Sequence, residues 1–366
     1  MTALRVTGSL IAAAAVAAVV SASAWTGGAA TRTGLEVRGK AATQVILKSK
    51  LNTPTGLAVD PRNGSLWIVN RGDDSITIVE RPGSRRPRIL HSVDSGKHYL
   101  WRPAAIAFSR GGDEFATAQD ASGFGQRMGP TLWPGEAALF RGNTRLNRIH
   151  LDMLHHSPQS IGIAAGADEE KREYWVFNAA AGSIDRYFFN EPHPPGQNDH
   201  GDGRTFRYAA GALARRPKIP GHLALDRATG HLYIADTANR RIARLATTTS
   251  IGTPRLLDAG SPVEGPLYDV VGSTVETVVP PSAGLKAPSG ILLHAGTLWV
   301  GDHATGRIHV FRLDGTRLNV IKTGLGRDTI TGLAVSPDGR LYVLDSRRNR
   351  VVRLRMPVNR LGLSGK

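Results

Sequence analysis

Short apolar runs recur along the chain at a regular spacing, and each is followed by a turn and by further short runs. Six of them align on a shared start: PTGLAVD (54–60), PAAIAFS (103–109), PQSIGIA (158–164), PGHLALD (220–226), PSGILLH (288–294) and ITGLAVS (330–336). These starts lie 49, 55, 62, 68 and 42 residues apart. Self-similarity at such a period is typical of a repeat architecture.

The runs within a repeat differ in pattern. The first two are nearly continuous β-branched, Leu and aromatic residues, as in 232–236, which is typical of strands buried on both faces. A third run alternates polar and apolar residues, and a weaker fourth follows. In the second repeat we predict strands three and four at 137–140 and 145–149, and in the fourth repeat the fourth strand at 255–257. Each repeat is therefore predicted to be a four-stranded antiparallel blade.

One blade cannot bury both of its faces, so the six repeats predict an all-β, six-bladed β-propeller. The sixth repeat has three strands, while a lone strand at 43–48 precedes the first repeat. We predict that this N-terminal strand completes the last blade and closes the ring. The propeller is expected to span 42–356, with a basic tail at 357–366.

The repeats resemble the NHL-repeat family. The most specific copy is 232–242, LYIADTANRRI, and LYVLD at 341–345 with Asn349, Arg350 and Val351 repeats it. The resemblance covers about residues 43–355 and implies a propeller, but the family includes sensors, scaffolds and enzymes. The segments HLDMLH and PGQNDHGDG are also similar to segments of bacterial NHL-like proteins of no known activity.

The N-terminus has the features of a secretion signal. Arg5 supplies a positive charge, 8–20 is apolar, and Ala22 and Ala24 fit a signal-peptidase site. The apolar stretch is short and Ala-rich for a membrane span, so we predict a cleaved signal peptide over 1–24. A flexible lead-in over 25–41 is expected to follow, and the mature protein is expected to be extracellular, with no transmembrane span.

The composition excludes some kinds of site and favours some kinds of partner. The chain has no cysteine, which excludes disulfides and thiolate metal sites. Lys and Arg number 46 against 30 Asp and Glu, a net charge of +16 that favours anionic partners. The basic residues are spread in pairs, so a solvated basic surface is the alternative. We predict a monomer that binds a protein or an anionic cell-wall or cell-surface ligand, and no nucleic acid.

The starts of the inner strands face the central channel, where propellers bind ligands. Gluconolactonase-like propellers, to which the chain is similar, hold Ca²⁺ or Zn²⁺ there with Glu, Asn and Asp, and this row has no carboxylate. The related peptidyl-hydroxyglycine amidating lyase holds zinc there with three histidines, and only His222 matches. His222 is therefore a candidate metal ligand or acid/base group, and a hydrogen-bonded channel plug is the alternative.

Two loops next to the third repeat add candidates. His155 and His156 lead into its inner strand, on the predicted face of His222, so a metal site of His222, His155 or His156, and Asp152 is one hypothesis. Gln159 belongs to the channel row. In an insertion at 120–135, Met128 and Trp133 are candidates to wall a binding pocket, and a small hydrophobic cluster is the alternative.

A second insertion covers 190–204. Asn198, His200, Asp202 and Gly203 fit a calcium loop, but Ala209 stands where the bidentate Glu of an EF-hand is required. His193, His200 and Asp202 are therefore candidate ligands of a transition metal, predicted on the face opposite His222. A Pro/Gly-rich hydrogen-bonded loop is the alternative.

These observations leave two functions open. The first is a secreted module that binds or senses a ligand or partner at the cell surface. The second is a metal-dependent lyase or hydrolase with a histidine site at the channel mouth, resembling the amidating lyase. Zinc and calcium are the candidate cofactors.

Overall fold

The computed structural model describes residues 41–123, 125, 127–142, 145–194, 196–248 and 254–355. The predicted signal peptide, the lead-in before residue 41 and the basic tail lie outside the described residues. Short 3-10 helices occur at Ala137–Phe140, Leu146–Arg148, Pro281–Ala283 and Ser346–Arg348. Within the described ranges, no helix is both long and apolar enough to cross a bilayer.

The strands form six sheets, which are the blades of a propeller. The chain starts with β1 (Ala42–Leu47). Blade 1 contains β2 (Pro54–Val59), β3 (Leu66–Asn70), β4 (Ser75–Glu80) and β5 (Arg88–Val93). Blade 2 contains β6 (Pro103–Phe108), β7 (Glu114–Gln119), β8 (Thr131–Pro134) and β9 (Asp152–Met153). Blade 3 contains β10 (Ser160–Ala165), β11 (Glu173–Asn178), β12 (Ser183–Phe188) and β13 (Arg204–Tyr208).

The remaining strands complete the ring. Blade 4 contains β14 (Leu223–Asp226), β15 (His231–Asp236), β16 (Arg241–Ala246) and β19 (Glu276–Val279). Two short strands, β17 (Arg255–Asp258) and β18 (Leu267–Asp269), lie between β16 and β19 along the chain. Blade 5 contains β20 (Pro288–His294), β21 (Thr297–Asp302), β22 (Arg307–Arg312) and β23 (Arg317–Lys322). Blade 6 contains β24 (Ile330–Val335), β25 (Leu341–Asp345) and β26 (Arg350–Arg355).

Closure of the ring agrees with the sequence prediction. Each inner strand packs beside the next, and β24 returns to pack beside β2. The N-terminal strand β1 pairs antiparallel with β26, so Val45 lies opposite Val352. The prediction of a six-bladed propeller closed by an N-terminal strand is confirmed. This pairing covers the edge of β26, and β1 becomes the outer strand of the last blade.

Large apolar side chains fill the space between blades. Between blades 1 and 2, Trp67, Phe115, Trp133 and Phe140 form one buried cluster. The rings of Trp67 and Phe115 are tilted with their centroids 4.9 Å apart. Each such ring buries about 150–250 Å², so these clusters supply most of the cohesion between neighbouring sheets.

Blade 2 departs from the predicted strand order. Its third strand is β8, inside the segment that we predicted as a surface insertion, and 137–140 and 146–148 are 3-10 helices. Pro134 and Gly135 end β8, and the Ala-rich turn that follows folds back to bury Phe140. The apolar run AALF was therefore wrongly predicted to be a strand.

Blade 3 is wider than predicted. The run at 255–257 belongs to β17, which pairs with β18, and β18 adds in parallel to the outer edge of β13, with Leu267 opposite Thr205. The fourth strand of blade 4 is β19 instead. The β13–β18 pairing places the segment before β18 against the outer edge of blade 3, where the candidate site lies.

Candidate functional site

The channel mouth is closed by hydrogen bonds between neighbouring blades. The Thr55 hydroxyl donates to the Pro103 carbonyl over 2.7 Å, and the Thr331 hydroxyl donates to the Pro54 carbonyl over 2.8 Å. Ser289 makes a longer bond of 3.4 Å to the Thr331 carbonyl. These hydroxyls are buried and already bonded, and the row has no carboxylate. It does not fit the divalent-cation site of gluconolactonase-like propellers.

His222 spans the channel. Its Nε2 donates to the Thr55 carbonyl of the opposite blade over 2.9 Å, and its backbone N–H donates to the Ser289 carbonyl over 3.1 Å. Burial lowers the pKa of His222, which favours the neutral ring. Below it the channel is a cavity of about 320 Å³ lined mostly by Leu, Ile and Ala side chains of the inner strands. These contacts correspond to the hydrogen-bonded channel plug that was the alternative hypothesis for His222.

The two histidine-containing loops meet at the outer edges of blades 2 and 3. His200 Nδ1 donates to Asp152 Oδ1 over 2.7 Å, and the His193 backbone N–H donates to the Leu151 carbonyl over 3.1 Å. The second insertion, which was predicted on the face opposite His222, thus runs along these outer edges and contacts the loop that carries His155. The insertion folds back along β13, and Gly203 permits the approach, because a Cβ there would lie 2.6 Å from a Leu154 methyl.

Five imidazoles and one phenol form a closed circuit of ring contacts, which we call the histidine cluster. Its successive centroid distances are 5.5 Å for His98–His155, 5.7 Å for His155–His200, 5.2 Å for His200–His193, 4.6 Å for His193–His150, 4.2 Å for His150–Tyr99 and 4.7 Å for Tyr99–His98.

Two of these imidazoles face each other. His150 Nδ1 lies 2.9 Å from the Asn147 carbonyl oxygen, and His193 Nδ1 lies 2.9 Å from the Pro194 carbonyl oxygen. A carbonyl oxygen only accepts, so each Nδ1 carries the proton. The two Nε2 atoms are 3.0 Å apart. Burial, and then the neighbouring His193, lower the pKa of His150 to about 3.

Asp152 lies beside this pair and is fully buried. Its Oδ1 accepts from His200 Nδ1 and, over 2.6 Å, from the Met153 backbone N–H. Its Oδ2 is buried with no hydrogen-bond partner in the described residues. Burial raises the pKa of Asp152, and the bond from His200 opposes that shift.

An open cleft of about 360 Å³ adjoins the cluster. Its polar lining includes Arg127, His155, His156, Arg207 and Glu264. Glu264 accepts from His155 Nδ1 over 2.8 Å and from the His155 backbone N–H over 2.9 Å. Burial alone raises the pKa of Glu264, but these bonds outweigh it and hold the pKa below its usual value. Glu264 is therefore an ionised carboxylate that orients His155.

The cleft floor is held by a buried ion pair. Asp185 is fully buried and accepts from Arg207 through two nitrogens, over 3.0 and 2.8 Å. It also accepts from the hydroxyls of Ser157 and Ser183, each over 2.7 Å. Arg207 in turn donates to the His156 carbonyl over 2.8 Å, which fixes the loop that carries both cleft histidines.

The other predicted site residues lie elsewhere. Trp133 is buried in β8 and donates to the Thr117 hydroxyl, and Met128 is buried against Ala121 and Met153. Both are fully buried, so neither lines an open pocket, which corrects that expectation.

Two further candidates have roles in the backbone of the loops. Gln159 has a positive φ of 56° and holds the loop through its backbone N–H to the Ala121 carbonyl. Asp202 is exposed and accepts from the Glu191 backbone N–H, so it closes its own loop.

The structure does not join His222 to His155 or His156, since His222 bonds to inner-strand carbonyls while His155 bonds to Glu264. The proximity of His98, Tyr99, His150 and Glu264 had no sequence signal beyond the concentration of histidines, because they come from three separate segments. In the described part of the chain, no three His, Asp or Glu side chains already stand in a geometry that holds a metal ion.

Comparison with known families finds one match. Residues 329–354 match the family model described as NHL repeat, and they cover β24 to β26. Comparison with curated protein sequences finds no match.

Several solved structures share the fold. Regucalcin from Agrobacterium tumefaciens, described as a calcium-binding protein, is 16% identical, with 86% of this chain and 94% of that chain covered and a TM-score of 0.53. An auxiliary nutrient binding protein from Bacteroides thetaiotaomicron is 13% identical, with 82% and 68% covered and a TM-score of 0.55. Virginiamycin B lyase from Staphylococcus aureus is 14% identical, with 86% of each chain covered and a TM-score of 0.51. At these identities the likeness shows the fold alone.

Proposed function

We propose that this NHL-type six-bladed β-propeller is a secreted binding module that captures an anionic ligand or partner segment in the cleft beside the histidine cluster. One observation carries the proposal: two loops and the widened edge of blade 3 together build an open cleft of about 360 Å³ that is lined by several charged side chains. Propeller loops on a rigid ring are suited to this role.

The charges of the cleft support an anionic ligand. Glu264 accepts two hydrogen bonds from His155, and Asp185 is paired with Arg207. Asp258, also in the lining, accepts from the Gly260 backbone N–H, so each of these carboxylates already has a partner. Arg127 is exposed at the rim, so its guanidinium is available to a carboxylate or phosphate. The net charge of +16 draws such ligands to the surface, and the signal sequence is the basis for placing the encounter outside the cell.

A salt series tests the proposal. Purified protein is passed over anionic cell-wall material at increasing ionic strength, together with Arg127→Glu and a control of equal charge change, Arg312→Glu on blade 5. We expect retention to fall as the salt concentration rises, because pairing between surface charges is screened beyond about 8 Å at physiological salt. Arg127→Glu should abolish retention, since it reverses a charge at the cleft rim, and Arg312→Glu should preserve it. Absent retention, or equal loss in both variants, contradicts binding at the cleft.

A lyase or hydrolase is the second candidate, and one observation favours it. The Glu264–His155 pair leaves His155 Nε2 as a base at the cleft wall, which is the carboxylate–imidazole arrangement of general base catalysis. At the channel mouth, by contrast, His222 is buried and bonded. Turnover of ester, lactone or glycosidic test substrates that His155→Gln abolishes, with ligand retention kept, would establish catalysis. Retention without turnover leaves the binding function.

A further inference from the structure

We propose that His150, His193 and His200 hold a transition-metal ion of the zinc or copper class at the buried junction of blades 2 and 3. This site lies behind the cleft and does not depend on what the cleft binds. It is also separate from the channel axis, where the hydroxyl row and His222 are already bonded to carbonyls.

The Nε2 lone pairs of His150 and His193 lie close together. Both His150 and His193 use Nδ1–H to donate to a backbone carbonyl, so in their neutral forms both Nε2 atoms present lone pairs. Those atoms are 3.0 Å apart, where two lone pairs repel. Two nitrogens bound to one tetrahedral zinc at about 2.05 Å stand about 3.3 Å apart. A cation bound by both Nε2 atoms would remove this repulsion, and the two atoms would have to move apart by only a few tenths of an ångström.

The three histidines share a pattern of outer hydrogen bonds that is typical of metal ligands. Histidines that bind a metal donate their other ring N–H to a carbonyl or carboxylate, which sets the tautomer and the ring direction. His150 and His193 do so to carbonyls, and His200 does so to Asp152 Oδ1. All three therefore carry the proton on Nδ1 and offer Nε2.

A buried carboxyl group with an unpartnered oxygen lies beside these histidines. Asp152 Oδ2 has no hydrogen-bond partner in the described residues, although the residue is fully buried. A buried carboxyl oxygen without a partner is costly. A cation next to His200 would supply the missing partner, either by direct contact with Oδ2 or through a bound water.

The Nε2 atoms of His150 and His193 already lie together, and His200 has to move to join them. The His200 ring centroid is 5.2 Å from that of His193, so a shift of the His200 loop that keeps the Nδ1 bond to Asp152 would bring Nε2 toward the His150–His193 pair. This explains why no three ligands are already convergent in the described residues. Imidazole donors select zinc, copper or nickel over calcium or magnesium, which prefer oxygen.

The experiment titrates the purified protein, stripped with EDTA, with Co²⁺ and with Zn²⁺. Calorimetry gives the stoichiometry, and the visible spectrum of Co²⁺ reports tetrahedral nitrogen coordination. We expect one ion per chain. His193→Ala and His200→Gln should each remove binding, and Asp152→Asn should weaken it about 10–100-fold, as loss of an outer carboxylate does. His294→Ala, on β20 and outside the histidine cluster, should bind as the parent does.

The outcomes are decisive because folding is measured separately. Near-ultraviolet circular dichroism of each metal-free variant shows whether the ring is intact, and His200→Gln serves if His193→Ala does not fold. Folded parent protein that takes up neither ion overturns the proposal and indicates a proton shared between the two Nε2 atoms. Uptake that survives both histidine variants also overturns it. Arg127→Glu should leave metal uptake unchanged, so failure of cleft binding is distinguishable from failure of the metal site.

Discussion

His200 donates from Nδ1 to Asp152 Oδ1 over 2.7 Å, and this bond joins the insertion of blade 3 to the last strand of blade 2. Both groups are buried, with the His200 side chain only 4% exposed. The bond therefore ties two outer edges that would otherwise be free to separate at the rim of the propeller. It also makes the histidine cluster a property of two blades together.

The ion pair under the cleft should be a large contributor to stability. Asp185→Ala leaves Arg207 buried without its carboxylate, and we expect a loss of about 3–5 kcal/mol in the free energy of unfolding. The control is Glu80→Ala, which breaks the exposed Arg88–Glu80 pair and should cost under about 1 kcal/mol. Urea denaturation measures both. Equal midpoints for the two variants would show that the Arg207 pair is not desolvated.

Gly265 should be required for the cleft wall. A Cβ at Gly265 would lie 1.9 Å from the Gly203 carbonyl oxygen, which is backbone and cannot turn away. Gly265→Ala must therefore push the Glu264 segment from the insertion, at a cost of about 1–3 kcal/mol and with loss of ligand retention. Gly111→Ala, where the added methyl would meet only the Asp113 side chain at 3.3 Å, is the control. Unaltered retention by Gly265→Ala would place the ligand elsewhere.

The closing strand should matter more than the segment before it. A chain that starts at residue 48 lacks β1 and exposes the side of blade 6 that Leu47 covers. We expect its free energy of unfolding to fall by at least about 2 kcal/mol, from the Leu47 side chain alone. A chain that starts at residue 41 should keep the parent midpoint in thermal denaturation. If the chain that starts at residue 48 is as stable as the control, β1 does not contribute to the stability of the ring.

Acid should weaken the ring through the channel plug. Burial lowers the pKa of His222, so below about pH 6.5 the unfolded chain binds a proton that the folded ring resists, and stability falls as the pH falls. His222→Gln cannot be protonated, so its melting temperature should drop less than the parent's between pH 7 and pH 5. His294→Gln is the matched control. A steeper fall for His222→Gln than for the parent would show that the ring is stabilised by the charged form.

Periodicity predicted the architecture because each inner strand repeats a locally readable pattern. It failed where a tertiary contact outweighed the pattern, as in the 3-10 turn that buries Phe140, and where β17 and β18 left their own repeat to widen blade 3. The candidate functional site was harder to predict from the sequence. His155, His156, His193 and His200 stood out by residue type, but their proximity depends on two loops crossing between blades. Nothing local in the sequence encodes that crossing, and so Glu264 and His150 gave no signal as partners.

Pairing of β1 with β26 has a mechanical consequence. Ala42 lies opposite Arg355, so the two described ends of the chain sit side by side at the same end of one antiparallel ladder. Tension applied between them peels the ladder apart one hydrogen bond at a time and does not shear all of its bonds at once. A propeller tethered by both ends would thus give way first along this single seam, under far less force than its resistance to heat suggests.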